Sequence, residues 1–367
     1  MKLALVVPGG VDRSGVERVI PALLALIARL AKRHELHVYA LNQEDRPGEW
    51  QLRGATVHNL GAGCGRARAI GALLSEHRRA PFQAIQSVWS GRGGLIAVAA
   101  ARLAGVPGCV HVAGGELVAM PDIHYGGRLT WRGRLRETLV LRAASQVTAA
   151  SAPLLAALSQ LGIAARRVPL GVDLGAWPPR RPAPRSRGGP LRLVHVASLN
   201  RIKDQATLLR AIALLVGSGV EVHLDIVGED TLHGELQRLT TQLQLDRQIR
   251  FHGFLAQAQL RPLVEDAALM VVSSRHEAGP VAVLEAAVAG VPTVGTAVGH
   301  IAEWAPAAAA AVPVGDSGAL AAAIAALASD EPRRLELALA AQERALREDA
   351  DHTAQCFESL YARPARG

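Results

Sequence analysis

Two glutamates eight residues apart, Glu277 and Glu285, flank a Gly-Pro pair inside an otherwise apolar stretch, "EAGPVAVLE". The preceding residues 269–272 are apolar and partly β-branched, which predicts a buried strand. Pro280 is favoured at the first position of a helix, and Gly290 ends the helical run that follows. Backbone N–H groups at such a helix start attract an anion. The spacing therefore predicts a ligand with a phosphate at the helix start and with hydroxyl groups on each side of the phosphate, where the two carboxylates bind them.

The composition excludes several classes of protein. A chain of 367 residues that is 50% apolar predicts two globular domains. With 3% aromatic residues it offers no base-stacking platform, so no nucleic-acid partner is expected. Its three cysteines are too widely spaced for a disulfide framework or a zinc site, and no metal is expected. No apolar run suits a signal peptide or a membrane span, which predicts a cytoplasmic protein.

The charge is unevenly distributed. Residues 1–180 carry 22 Lys and Arg against 11 Asp and Glu, a net charge of +11, whereas residues 181–367 carry 18 and 21, a net charge of −3. Helical spacing in "RGRLRETLVLR" brings Arg132, Arg136 and Arg142 near one side of a predicted helix. The basic half suits an anionic lipid surface or a charged acceptor. A bias towards arginine codons explains the basic first half equally well, and a solvated helix face explains the arginines of the predicted helix. Both interpretations stay open.

Strands and helices alternate along both halves, which predicts an α/β fold with two doubly wound, Rossmann-like parallel sheets. The first three elements are predicted as a strand in "MKLALVVPGG", a helix over residues 16–34 and a strand in "ELHVYAL". We expect a first domain over residues 1–175, a Pro-, Arg- and Gly-rich linker over 176–190 and a second domain over 191–348. Ligands of such sheets bind at the carboxyl ends of the strands, so a deep interdomain cleft is the expected site.

These motifs together resemble the retaining, GT-B-fold glycosyltransferases of family four, also called glycosyl transferases group 1. The Glu-x7-Glu pattern is matched at Glu277 and Glu285, and "VASLNRIKDQATLLRA", "DIVGED", "FHGFL" and "AAVAGVPTVGTAVGHIAE" are similar to other family elements. In the first half, "SGVERVI" and "VPLGVDLGAWPP" are similar to weaker family motifs. The resemblance implies GT-B architecture, with the acceptor on the first domain, the donor on the second and a C-terminal helix, residues 349–367, that crosses back to the first.

The resemblance also implies an activity, the transfer of a hexose-type sugar from a UDP, GDP or ADP sugar to a hydroxyl of a glycan, lipid-linked or small-molecule acceptor. The anomeric configuration of the sugar is retained, and no cofactor takes part. In this scheme Glu285 holds the ribose, Glu277 contacts the donor sugar, and Lys203 neutralises the leaving diphosphate. The implied donor-binding set is Gly15, Ser198, Gly228, Ala278, Gly279, Pro280, Val281, Leu284 and Glu285. A cytoplasmic enzyme of cell-surface glycan synthesis, in peripheral contact with the inner face of the membrane, is the resulting expectation.

The sequence departs from the family pattern in two places. Where the family usually has an arginine, five residues before Lys203, this chain has Ser198, and Arg201 is the expected substitute cation. Where the family commonly has a histidine near the donor, this chain has Ala113, in "VHVAGGEL". The candidates for the first-domain site are therefore His111, for which a buried role is favoured, Gly114, Glu116 and His124.

Other functions share this architecture, namely a sugar-nucleotide epimerase, a phosphorylase and a catalytically inactive binding subunit. The Glu-x7-Glu spacing with this linker favours transfer over the first two, and the presence of Glu277, Glu285 and Lys203 argues against the third. "PGGVDRSGVE" lacks the Gly-x-Gly-x-x-Gly spacing of a dehydrogenase. Asp349 and Asp351 have a metal-binding spelling, but they lie in a charged run that predicts a solvated helix face.

Overall fold

The computed structural model describes residues 1–185 and 188–361. Residues 186–187 of the predicted linker and residues 362–367 of the predicted C-terminal helix lie outside the described residues. The chain divides into two compact units. The first unit comprises Met1–Gly171 and the segment that begins at Glu348, and the second comprises Val172–Arg347.

The first unit contains an eight-stranded sheet with the order β3-β4-β2-β1-β5-β6-β7-β8, in which only the β3–β4 pair is antiparallel. Its strands are β1 Lys2–Val7, β2 Glu35–Ala40, β3 Gly48–Leu52, β4 Ala55–Asn59, β5 Ala84–Val88, β6 Gly108–Val112, β7 Gln146–Ala149 and β8 Arg166–Arg167. Its helices up to this point are α1 Pro21–Ala31, α2 Arg66–Arg79, α3 Gly91–Ala104, α4 Trp131–Ala143 and α5 Ala152–Gln160, with a short 3-10 helix over Pro121–Ile123.

The second unit contains a six-stranded, wholly parallel sheet with the order β11-β10-β9-β12-β13-β14. Its strands are β9 Leu191–Val196, β10 Val222–Val227, β11 Ile249–Phe251, β12 Leu269–Val272, β13 Thr293–Thr296 and β14 Ala310–Val312. Its helices are α6 Gln205–Gly217, α7 Glu235–Gln242, α8 Gln257–Glu265, α9 Val281–Val288, α10 Gly299–Trp304, α11 Ser317–Ser329 and α12 Glu331–Arg347. The prediction of a Rossmann-like α/β fold in both halves is confirmed.

Both faces of the second sheet are covered by apolar layers. Successive residues of β9 belong to opposite layers: Leu193 packs with the layer that includes α6 and α11, and Val194 packs with the layer that includes α9. This alternation follows from the pleat of a strand, and helices on both faces are what an all-parallel sheet requires. The loops at the strand ends are therefore carried by a rigid, fully covered scaffold.

The predicted helix over residues 16–34 is shorter in the structure, and α1 begins only at Pro21. The residue before a proline is disfavoured in the helical region, and Ile20 is extended, with φ −106° and ψ 107°. Val19 instead pairs with Val11 in an isolated bridge. The prediction was wrong over its first five residues because the apolar spacing continued through a backbone position where a helix is disfavoured.

The sequence did not predict four of the strands, namely β3 and β4, which form a hairpin, β8 and β14. Arg53 and Gly54 connect β3 and β4, with φ values of 52° and 89°. Positive φ at both central residues is the pattern of a type I′ turn. Arginine is not a usual residue for that turn, which explains why composition did not reveal it.

The charged C-terminal run was predicted as one helical stretch, but it is divided between α12 and α13 Ala350–Tyr361. Asp349 precedes α13, and its Oδ1 accepts a hydrogen bond of 2.8 Å from the backbone N of His352. Asp351 binds the guanidinium of Arg29 on α1 at 2.9 Å. The two aspartates therefore have separate roles, one as a helix cap and one as an ion-pair partner. None of the helices in the described part of the chain combines the length and apolar character needed to cross a membrane.

Thr353 fixes α13 to the segment that ends the first unit's main part. Its buried hydroxyl donates to the carbonyl of Pro169 at 2.7 Å and accepts from the N–H of Gly171 at 2.9 Å. Gly171 allows this approach, because a Cβ there would lie 2.2 Å from backbone atoms of Glu348 and Asp349. The hydroxyl thus satisfies two backbone groups that have been withdrawn from water.

We expect Thr353→Val to destabilise the protein by about 1–3 kcal/mol, because it leaves these buried backbone groups unpaired at nearly unchanged volume. Chemical denaturation monitored by circular dichroism measures the loss. Thr353→Ser retains the hydroxyl and serves as the control. Equal losses in the two variants would assign the effect to the missing methyl group instead.

Candidate functional site

An ion pair joins the loops that follow β9 and β12. The Nζ of Lys203 lies 2.6 Å from Oε1 of Glu277, and both side chains are largely withdrawn from solvent. β9 and β12 are neighbours, and the chain leaves them towards opposite edges of the sheet. The pair therefore lies at the topological switch point, where the carboxyl ends of adjacent strands leave a crevice in sheets of this kind.

Two buried serines directly after β12 hold the pair in place. Ser274 Oγ donates to Glu277 Oε1 at 2.6 Å, and Ser273 Oγ donates to the carbonyl of Lys203 at 2.9 Å. Thr296, at the end of β13, donates its hydroxyl to the carbonyl of Ser274 at 2.6 Å. A lysine and a carboxylate held by three neighbouring strand ends need little reorganisation when a charged ligand arrives.

The start of α9 faces the loop that carries Glu277. Pro280 is extended, with φ −67° and ψ 114°, so the helix begins at Val281 and Pro280 is its N-cap rather than its first residue. Within the described residues, the backbone N–H groups of Val281 and Ala282 have no acceptor, as is normal for a first helical turn. Ala278 and Leu284 are buried beneath them. These N–H groups and the helix dipole favour an anion here.

Gly299, at the start of α10, packs closely against the loop that contains Glu277. It has a φ of 49°, and a Cβ added to it would lie 2.9 Å from Cδ of Pro280 and 3.1 Å from Cβ of Glu277. Any larger residue would have to displace the segment between Glu277 and Pro280. The glycine therefore determines how closely α10 supports this loop.

Glu285 lies on α9 and is buried next to the Trp177 indole. The Nε2 of Gln257 is 3.5 Å from its Oε1, which is a long contact, and 7% of the residue is exposed. Burial raises the pKa of this carboxyl to about 7. A buried carboxylate gains much from hydroxyl donors that a ligand brings. The geometry therefore suits a ligand with a diol.

The remaining donor-side candidates lie in loops that follow β9 and β10. Ser198 is exposed. Gly228 follows β10 directly, and a Cβ added to it would lie 2.0 Å from the carbonyl oxygen of Ala197, so only glycine fits where the two loops meet. The guanidinium of Arg201 binds Glu235 at 2.7 Å on the exposed surface and not Glu277. The structure therefore places Lys203 in the ion pair with Glu277 and Arg201 in a separate, exposed ion pair with Glu235.

In the first unit, His111 lies on β6 and is fully buried. Its Nδ1 lies 2.9 Å from Oγ1 of Thr148, its ring packs edge-on against Phe357 at 5.3 Å, and its Nε2 has no partner within the described residues. Burial lowers its pKa to about 3, so the ring is neutral. The structure places it in the core rather than at the surface.

The other first-unit candidates lie in loops. Glu116 is buried and accepts from the backbone N of Ser90, Ala113 and Gly114; burial raises its pKa while these bonds oppose the shift. His124 is exposed, with a φ of 51° after the 3-10 helix. Gly15 has a φ of 66° in the loop after β1, a conformation that favours glycine.

Sequence reasoning did not single out Ser273, Ser274, Thr296 or Gln257. The two serines had a usable signal, since polar residues directly after a buried strand lie at the carboxyl edge of the sheet. Thr296 and Gln257 are distant in sequence from their partners, and no local pattern identifies them.

Comparison with known proteins agrees with this geometry. A family model described as glycosyl transferases group 1 matches residues 179–344, and a second, described as glycosyl transferase 4-like domain, matches residues 14–172. The chain belongs to the GT-B-fold glycosyltransferases of these two models. The family predicted from Glu277 and Glu285 is thereby confirmed.

Curated relatives within this glycosyltransferase family are distant. A GDP-mannose-dependent alpha-(1-6)-phosphatidylinositol dimannoside mannosyltransferase of Mycobacterium tuberculosis is 34% identical over 133 residues, which are 35% of this chain and 34% of that protein. The putative glycosyltransferase EpsF of Bacillus subtilis is 29% identical over 233 residues, which are 58% and 57% of the two chains. The similarity to the mannosyltransferase thus spans about a third of that protein's length.

Solved glycosyltransferase structures share the fold over nearly the whole chain. Sucrose-phosphate synthase from Thermosynechococcus elongatus has a TM-score of 0.81 at 17% identity, with 98% of each chain covered. HepE from Anabaena, in complex with UDP-glucose, has a TM-score of 0.74 at 19% identity, with 99% of this chain and 100% of HepE covered.

The raised pKa of Glu285 predicts a pH-dependent stability. Between a normal glutamate pKa near 4.5 and about 7, the unfolded chain has released this proton while the native state keeps it, so stability falls as the pH rises. Glu285→Gln removes the buried carboxylate and with it this destabilisation. We expect the free energy of unfolding of the variant to exceed that of the wild type by up to about 3 kcal/mol at pH 8, with no difference near pH 4. Urea denaturation across this range measures it. A constant difference at all pH values would contradict the assignment.

Proposed function

We propose that this protein is a retaining hexosyltransferase that moves a sugar from a nucleotide-diphosphate sugar to an acceptor hydroxyl in the synthesis of a cell-surface glycan, glycolipid or glycoconjugate. One observation carries the proposal: the Lys203–Glu277 pair lies before the start of α9, and the buried Glu285 lies further along the same helix. A cation and an anion-binding helix start, with a carboxylate on each side, match the charges and hydroxyls of a sugar nucleotide.

In the proposed reaction, the acceptor oxygen bonds to the anomeric carbon while the bond from that carbon to the diphosphate oxygen breaks. The departing diphosphate keeps the electron pair, and the proton of the acceptor hydroxyl passes to it. Lys203 and the N–H groups of Val281 and Ala282 oppose the negative charge that develops on the leaving group. Glu277 contacts the sugar and Glu285 the ribose diol. The scheme uses no cofactor and no metal ion.

The support for the donor class comes from the geometry and from the relatives. The mycobacterial relative is described as GDP-mannose-dependent, and HepE was solved with UDP-glucose. The acceptor, a glycan, a lipid-linked molecule or a small molecule, is proposed to bind the first unit, whose sequence is the basic one. A sugar-nucleotide epimerase or an inactive binding subunit would bind the donor as well, and turnover of a labelled donor to a glycosylated acceptor distinguishes them from a transferase.

We expect UDP, GDP or ADP to raise the melting temperature, because a ligand that binds only the native state stabilises it by about 2.7 kcal/mol at 100 times its Kd. Differential scanning fluorimetry with each diphosphate identifies the base. Arg201→Ala serves as a control that keeps the shift, while Lys203→Ala reduces it. The absence of a shift with all three at millimolar concentration would refute the donor site.

We expect Lys203→Ala to lower kcat on the order of 100-fold with a smaller change in the donor KM, because leaving-group charge is greatest in the transition state. Arg201→Ala is the matched variant, since it removes a cation from the same loop that is paired with Glu235. Steady-state kinetics with the donor identified above compare them. If Arg201→Ala proves the more damaging, the leaving-group cation is Arg201.

A further inference from the structure

The outward face of α4 carries a row of apolar side chains. Trp131, Leu135 and Leu139 follow one another at four-residue spacing, and they are 68%, 51% and 56% exposed. Residues four apart lie above one another on a helix, so the three form one stripe. We call these three residues the α4 stripe.

Packing within the first unit does not explain this stripe. The buried side of the same helix consists of other residues, namely Gly133, Glu137, Val140 and Leu141. The helix is therefore apolar on its outer side as well as on part of its inner side. Contiguous apolar side chains on an outer face are typical of an interaction surface.

Arginines border the stripe. The guanidinium of Arg132 lies 5.3 Å from the ring centre of Trp131, within the range of a cation–π contact. Arg134 and Arg142 are also exposed, and within the described residues none of these three arginines forms an ion pair. The surface around the stripe is therefore positively charged.

Arg136 differs from its neighbours. It binds Glu137 at 2.9 Å, and this fully buried carboxylate also accepts from Ser90 and from the N–H of Gly91. Although the sequence placed Arg136 on the same side as Arg132, its guanidinium stabilises a buried charge. The exposed cluster consists of Arg132, Arg134 and Arg142.

We propose that the outward face of α4 docks onto a bilayer that contains anionic lipids. The indole and the two leucines enter the boundary between headgroups and acyl chains, and the three arginines lie at the level of the lipid phosphates. This combination of tryptophan, leucine and arginine on one helix face is what an interfacial helix needs. The inference rests on the proposed function in one respect, because docking would bring the first unit to a lipid-linked acceptor.

A second copy of this chain fits the surface less well. In a symmetric dimer the same patch meets itself, so the arginine cluster of one copy would face that of the other. Like charges that are brought together and desolvated oppose such an interface. Anionic headgroups instead complement the cluster, which is why the bilayer is the proposed partner.

The experiment compares cosedimentation with vesicles of phosphatidylcholine and with vesicles that also contain phosphatidylglycerol. The wild type is expected to bind the anionic vesicles more tightly. Leu135→Gln with Leu139→Gln should weaken binding to both by tenfold or more, since the apolar contact is lost. Arg132→Gln, Arg134→Gln and Arg142→Gln together should remove the preference for the anionic vesicles, on the order of 100-fold.

The matched control is Leu214→Gln with Leu339→Gln, two leucines of the second unit that are 51% and 52% exposed. It should bind vesicles as the wild type does, and all variants should retain the melting shift with the nucleotide diphosphate. Equal binding by the α4 variants and the control would overturn the docking surface. So would a wild-type dimer in analytical ultracentrifugation that Leu135→Gln with Leu139→Gln dissociates. If no nucleotide diphosphate raises the melting temperature of the wild type, that result would instead contradict the proposed function.

Discussion

The site depends on one partly buried electrostatic contact, the 2.6 Å ion pair between Lys203 and Glu277. The two residues are distant in sequence, and they meet because β9 and β12 are adjacent in the second sheet. The ion pair therefore requires the correct strand order, and Ser273, Ser274 and Thr296 hold the loops in register around it. Desolvating such a pair costs free energy, and a complete set of surrounding hydrogen bonds offsets that cost. Packing of the sheet thus creates the charge arrangement, and the arrangement in turn constrains the loops.

Glu285 differs from the ion pair, because this candidate ligand-binding group lowers the folding stability of the protein. Its carboxyl is buried beside the Trp177 indole, with a long contact to Gln257, and burial raises its pKa to about 7. In an unliganded protein this position would be better occupied by a neutral side chain. Retaining a glutamate there is understandable if a diol supplies the missing hydrogen bonds. Binding sites are commonly less stable than their surroundings for this reason.

The two units contribute unequally to the proposed chemistry. In the second unit, charged groups converge on one helix start, whereas in the first unit two of the titratable candidates, His111 and Glu116, serve the fold. His111 is neutral in the core, and Glu116 accepts hydrogen bonds from the backbone of its own loop and of Ser90. What the first unit presents to its surroundings is instead the α4 stripe and its arginines. Its proposed role is accordingly to bring the acceptor, and the proposed role of the second unit is to bind the donor and stabilise the leaving group.

The sequence alone predicted the α/β class and the pair Glu277 and Glu285, because these depend on local periodicity and on spacing along one strand–loop–helix segment. The family followed from the resemblance of the motifs in both halves. It also located Lys203 through its resemblance to a family loop. Only the tertiary structure decided that Lys203 bonds to Glu277 while Arg201 bonds to Glu235, because a side chain's partner depends on which strands are neighbours. The same holds for the burial of Glu285 and for the direction of the α4 stripe. A helical pattern shows which residues share a face, but the neighbouring elements decide which face is covered.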